Sequence, residues 1–312
     1  MSTTPVTTAA AAPTSLATAG ATTGELPPAP RRSLRKLFRR MKPLHMVAVG
    51  ILLLIVLSAI LAPLIAPHNP TKSDLLARLT PPAWISGGDT GHLLGTDQLG
   101  RDILSRLMYG SRYSLTIAII GTVCGVVIGA AFGMVAGFAR GIIDQIVMLI
   151  VDAFISLPFI IVALAMVAVL GSSFPVLILL AMLSGFAAYT RVTRGLTLQI
   201  ARQQYVLAAQ SIGASRGRLL IRHILPNVTA PLIVLTTMEM GSIILMEAAL
   251  SFLGFGIQPP TPAWGLMVNE GREYLHNAWW VGVFPGVAIM LLATCISLLG
   301  DLLRDILDPG TR

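Results

Sequence analysis

The feature that most restricts this chain is a set of six apolar stretches, each long enough to cross a bilayer as a helix. They run over residues 46–66, 113–139, 146–170, 175–198, 228–252 and 281–303. The hydrocarbon core is ~30 Å thick and a helix rises ~1.5 Å per residue, so ~20 apolar residues make one span. Within lipid every backbone N–H and C=O needs a partner inside its own segment, and helices supply that for runs of this length. Composition agrees, with 54% of residues hydrophobic and 12% charged, against ~25% charged in a soluble domain. The expected fold class is an all-α polytopic membrane protein with six transmembrane helices.

Charge supplies the orientation. A net charge of +8 raises the question of nucleic acid, but the basic residues cluster beside the apolar stretches. Seven of them lie between Arg31 and Lys42, directly before the first span. With the N-terminus in the cytoplasm, 16 Lys and Arg fall inside and 6 outside, the sense of the positive-inside rule. The chain is therefore expected in the bacterial cell membrane, multi-pass, with both termini cytoplasmic and no nucleic-acid partner. Residues 1–30 are rich in Ala, Thr and Pro, with Glu25 as their one charge, and read as a disordered cytoplasmic tail. Residues 31–91 hold the basic segment, the first span and the start of an outer loop. Residues 92–303 form a five-helix core and 304–312 a cytoplasmic tail. Cys124 and Cys295 sit in apolar stretches without partner spacing, so neither a disulfide framework nor a metal site follows.

Four features carry candidate chemistry. The first is Ala201–Asn227, a basic, polar island between two spans. Tyr205, Leu207, Ala208, Ala209 and Ile212 share one helical face there. Gly213 permits a break before Ala214, and Leu219, Leu220, Ile224 and Leu225 give a second short helix its stripe. Pro226 fits the start of the next helix. Such a pair of short helices is either a foot for a soluble partner or an ordinary loop. The second feature is Gly121, Gly125, Gly129, Gly133 and Gly137, a stripe about 24 Å long at ~1.5 Å per residue. It is expected to be a helix-packing seam, within the subunit or against a partner.

The third is a set of intramembrane acids, Asp152 in the third span and Glu239 and Glu247 in the fifth. Each must face protein or water, as a structural acid or a pathway residue. From the start of the fifth span Glu239 lies about 16 Å deep and Glu247 about 28 Å, near the outer interface. Pro158 and Pro231 either kink their spans or are accommodated by neighbours. The fourth is the outer loop HLLGTDQLGRDILSRLMYGSRYSL, residues 92–115. Its Gly95 and Gly100 have P-loop spacing, but Arg101-Asp102 stands where Lys-Ser/Thr would hold phosphate. Asp97 is expected to cap a short amphipathic helix with Ile103, Leu104, Leu107 and Met108 on its apolar side. The paired Trp279-Trp280 before the last span read as interface anchors.

Four phrases together resemble a known family. In Ala201–Asn227, Ala208-Ala209, Gly213 and the closing Leu225-Pro226 resemble the EAA loop of binding-protein-dependent ABC importer permeases, with Leu207 in place of its opening Glu. GTDQLGRD with its following SR and SL, EAALSFLGFG, and GDLLRDILDPG are similar to the dipeptide/oligopeptide branch, and the resemblance covers most of residues 92–309. It implies a type I (MetI-like) importer fold. It implies a permease that pairs with a homologous second permease, two cytoplasmic ATPases and an extracytoplasmic substrate-binding protein to import di- or oligopeptides. The EAA-like loop, through Tyr205, Ala208, Ala209, Gly213, Ala214, Leu225 and Pro226, would then couple to an ATPase. ATP and Mg²⁺ would sit on those subunits, with no cofactor or metal on this chain. No GxxxxGK[ST] or HExxH occurs in the sequence, so the chain is not expected to be an enzyme. Nickel, glutathione and haem are alternative cargoes. A proton-coupled secondary transporter using Asp152 and Glu239 is the alternative class.

Overall fold

The computed structural model describes residues 43–307. The expected tail 1–30, the basic run Arg31–Lys42 and residues 308–312 lie outside the described residues. The helices are α1 (Pro43–Ile65), α2 (Ile103–Ala139), α3 (Gly141–Ser156), α4 (Phe159–Leu170), α5 (Phe174–Ile200), α6 (Gln204–Ser211) and α7 (Arg216–Leu219). A π-helical turn (Leu220–Ile224) leads into α8 (Leu225–Phe252), followed by α9 (Trp264–Gly271) and α10 (Trp280–Leu307). Helices α1, α2, α5 and α10, and the run from α7 through α8, are each long and apolar enough to cross a membrane. Leu54, Leu64 and Val127 stand exposed along them, as a lipid solvent allows.

The expected third span differs most from its sequence reading. Residues 141–170 form two helices bent by 93° at Ser156–Pro158. Leu157 is extended, with φ −102° and ψ 136°, the conformation a following proline favours, and Pro158 has no N–H to continue the ladder. Pro63, Pro231 and Pro285 lie inside helices without such a break. The second span begins ten residues earlier than expected, because the short helix at Ile103 runs unbroken into it. That segment is not a one-sided amphipathic helix either. Ser105 and Arg106 on its polar side are as buried as Ile103 on the other.

Contacts fix the direction of each element. Gly121 of α2 faces Ala181 of α5 and Gly137 faces Thr197, so these two helices run parallel. Gly241 of α8 faces Ser297 of α10 and Gly300 faces Thr237, so that pair is antiparallel. The glycine stripe is the seam between α2 and α5. A Cβ on Gly129 would lie 2.6 Å from Tyr189 Cβ and 3.1 Å from Phe186 O, and one on Gly137 would lie 2.8 Å from Arg194 O. Only hydrogen fits at such separations, and two backbones at this distance gain the close packing that drives association in lipid.

One end of the bundle gathers residues 66–102 and 253–280 around a buried ion network. Arg101 Nε reaches Asp97 Oδ2 at 2.6 Å and its Nη2 reaches Glu270 Oε2 at 3.1 Å. Arg106 also pairs with Asp97, and lies 3.0 Å from Glu270 through Nη2. Asp97 is therefore not the expected helix cap. Asp102 is, accepting from the Ser105 N–H at 2.8 Å, while Asp97 also holds the turn at Leu99 and Arg101 N–H. Trp280 departs from the anchor reading as well. It is buried, and its indole N–H donates to Thr96 O at 3.1 Å, tying α10 to the loop before α2. Trp279 remains partly exposed.

Candidate functional site

At the opposite end, residues 201–227 fold as two short helical pieces around a tight turn. Helix α6 ends in a Schellman motif: Gly213 N–H donates to Gln210 O at 3.0 Å and Ala214 N–H to Ala209 O at 3.1 Å. Gly213 has φ +84°, the left-handed conformation this motif demands. Ser215 then caps α7, accepting from the Arg218 N–H at 3.4 Å. The π-helical turn, closed by Leu225 N–H to Leu220 O, lies immediately before Pro226. Extra residues of this kind recur at functional positions in helices.

Two sets of side chains divide the segment. Val206, Leu219 and Ile224 are buried, and Ile224 packs with Val228, Leu232 and Tyr189 in a small core between α5 and α8. Tyr205 and Leu207 are each 47% exposed and Ile212 is 87% exposed. Asn227 Nδ2 donates to the Tyr205 hydroxyl at 3.2 Å and to His223 O at 2.6 Å, which joins the start of the segment to its end. The unit is thus seated from below and presents apolar side chains outward. Ala208 is exposed, Ala209 and Ala214 are half-buried, Leu225 is half-buried and Pro226 is exposed. The sequence reading passed over Val206, whose burial seats α6. It stands between Tyr205 and Leu207, so the local pattern does not mark it as the buried one of the three.

The membrane acids have separate surroundings. Glu247 is 2% exposed and accepts from Ser114 Oγ at 3.1 Å and Ser251 Oγ at 2.8 Å. It lies near the end of α8, as its depth implied, but inside the protein rather than at an interface. Asp152 pairs with Arg191 Nη2 at 2.7 Å, both more than half exposed. Asp144 forms a two-pronged pair with Arg194, through Nη2 at 2.6 Å and through Nε. Glu239 is half-buried on α8, and the structure does not bring Asp152, Glu239 and Glu247 together in one hydrogen-bonded set.

The fold is a helical membrane bundle with a long glycine seam, a broken third span and a short helical foot joined to α8. Residues 125–312 match the model of the binding-protein-dependent transport system inner membrane component family. Residues 31–82 match the N-terminal transmembrane domain of oligopeptide transport permease C. The chain belongs to the binding-protein-dependent permease family. It is 43% identical over 261 residues to the di/tripeptide transport system permease protein DppC of Pseudomonas aeruginosa, covering 84% of this chain and 86% of that one. It is 44% identical over 287 residues to the dipeptide transport system permease protein DppC of Escherichia coli K12, covering 91% and 96%. The fold matches a chain of the MetNI methionine ABC transporter in inward facing conformations with a TM-score of 0.54, at 20% identity, over 66% of this chain and 98% of that chain. The MetI-like fold expected from the sequence is therefore the fold observed.

Proposed function

We propose that this chain forms, with a homologous second permease, the pathway of an ATP-driven importer for di- or oligopeptides. The carrying observation is the 201–227 unit, with its seat buried in the bundle and its apolar side chains facing outward. An ATPase groove that takes a short helix would bury Leu207 and Ile212, and a rigid Schellman turn would transmit its movement to α8. Leu207, where the family pattern begins with Glu, makes that contact apolar rather than charged. ATP and Mg²⁺ belong to two partner ATPases in this reading, and cargo is delivered by an extracytoplasmic binding protein. The relatives named for dipeptides and di/tripeptides support the cargo class. The pairing of Asp152 with Arg191 speaks against a proton relay, which needs an acid free to cycle its proton.

Uptake by the reconstituted complex tests this. Labelled dipeptide should enter proteoliposomes only when ATP is present at the ATPase face and binding protein at the other. An uncoupler that collapses a proton gradient should leave uptake unchanged. Uptake that persists without ATP and stops with the uncoupler would overturn the reading.

A further inference from the structure

At the end of the bundle opposite the foot, three side chains from distant parts of the sequence converge. His68 follows the end of α1, His92 lies in the long loop, and Asp102 caps α2. His92 Nδ1 is 3.1 Å from Asp102 Oδ1 and His68 Nδ1 is 3.9 Å from Asp102 Oδ2. One ligand atom from each of the three lies within 4.8 Å of the others, and the imidazoles face each other with centroids 4.6 Å apart. We propose that His68, His92 and Asp102 bind a divalent transition metal of the zinc class, which staples the end of α1 to the start of α2.

Charge and geometry both favour this occupant. Asp97, five residues earlier, has two arginines, whereas the ion-pair partners of the fully buried Asp102 side chain among the described residues are the two imidazoles. An imidazole, unlike a guanidinium, is a metal ligand, and a divalent ion between the three groups would give the buried carboxylate a full positive partner. Two nitrogens and one oxygen suit zinc or its neighbours, while Mg²⁺ and Ca²⁺ prefer oxygen alone. Tetrahedral ligands at ~2.1 Å from zinc stand about 3.4 Å apart. His92 and Asp102 already meet that spacing. His68, whose side chain is 43% exposed, closes the remainder with a small side-chain movement. Beside it opens a pocket of about 430 Å³ lined by Pro63, Pro67, Asn69 and Tyr109, which gives the ion an approach and leaves a coordination position for water. Asp102 keeps its cap throughout, since Ser105 N–H and Oγ use the same carboxylate at 2.8 and 2.7 Å.

The test uses the full-length chain, purified in detergent without a histidine tag and stripped with chelator. Zn²⁺ is titrated in competition with a chromophoric chelator, and thermal unfolding is followed with Zn²⁺ or Mg²⁺. The wild type should bind one equivalent and unfold at higher temperature with Zn²⁺ but not with Mg²⁺. His68→Ala and His92→Gln should each weaken binding at least tenfold, and the exposed His276→Ala should leave it unchanged. His68 is partly exposed, so His68→Ala remains folded and informative even if His92→Gln does not. Binding by His68→Ala equal to wild type, or no stoichiometric binding by wild type at micromolar Zn²⁺, would overturn the proposal.

Discussion

Arg106 is 1% exposed and sits with Arg101 between Asp97 and Glu270. Two positive and two negative groups cancel there, and each carboxylate serves both arginines. Removing one member leaves an uncompensated buried charge, which typically costs about 3–5 kcal/mol. Arg106→Ala should therefore lower the Tm of the detergent-purified chain markedly, and an unchanged Tm would show that the network does not hold this end. Asp152 and Arg191 form the opposite case, an exposed pair whose loss costs at most about 1 kcal/mol. Asp152→Asn should keep both its Tm and ATP-dependent uptake, whereas uptake lost at normal stability would return Asp152 to the pathway. At this scale the sequence was legible in kind but not in pairing. Asp97 and Arg106 are nine residues apart and Glu270 is over 160 further along, so no local pattern could reveal that they share one site. Likewise, Asp97 and Asp102 are equally good caps on paper, and only the arginines decide between them.

Among the elements, the α2–α5 seam makes the sharpest demand on residue size. Leucine at Gly129 would drive its Cβ into Tyr189 and Phe186, and overpacking of this kind costs about 1–3 kcal/mol or more. Gly129→Leu should reduce the yield of monodisperse protein and its Tm. Gly50→Leu on α1 should not, because that position has open space beside it and an ordinary φ. Equal behaviour of the two variants would contradict the seam. The stripe itself could be read from its four-residue register, since small residues repeating on one helix face have few other uses in lipid. Its partner could not, because α5 carries ordinary residues such as Ala181, Tyr189 and Thr197 that bear no mark of a facing glycine. Pro158 was equally opaque. It ends α3 with a 93° bend, while Pro231 sits within α8, and residue type alone does not separate them.

Over the whole molecule, the described ends at residues 43 and 307 lie at the same end of the bundle as residues 201–227, and the ion network lies at the other. The excess of basic residues beside the first end supports a proposed orientation with that end in the cytoplasm. Single cysteines at Ser86 and Gln258, with Cys124 and Cys295 replaced, should react with an impermeant thiol reagent outside intact cells, and one at Ser215 only after lysis. The reverse pattern would invert the orientation. The five unbroken spans were legible because hydropathy and length report directly on the bilayer. Convergence across loops was not, as His68, His92 and Asp102 illustrate. If residues 201–227 couple an ATPase to the bundle through exposed apolar side chains, as proposed, changes there alter the stimulated ATPase rate of the reconstituted complex. Ile212→Asp and Leu207→Asp change side chains that the fold leaves outward, so both should insert and assemble with the second permease. Substrate-loaded binding protein should then no longer stimulate ATP hydrolysis in either variant, while the exposed Arg218→Ala retains stimulation. Wild-type stimulation in both aspartate variants would show that residues 201–227 are only a connector.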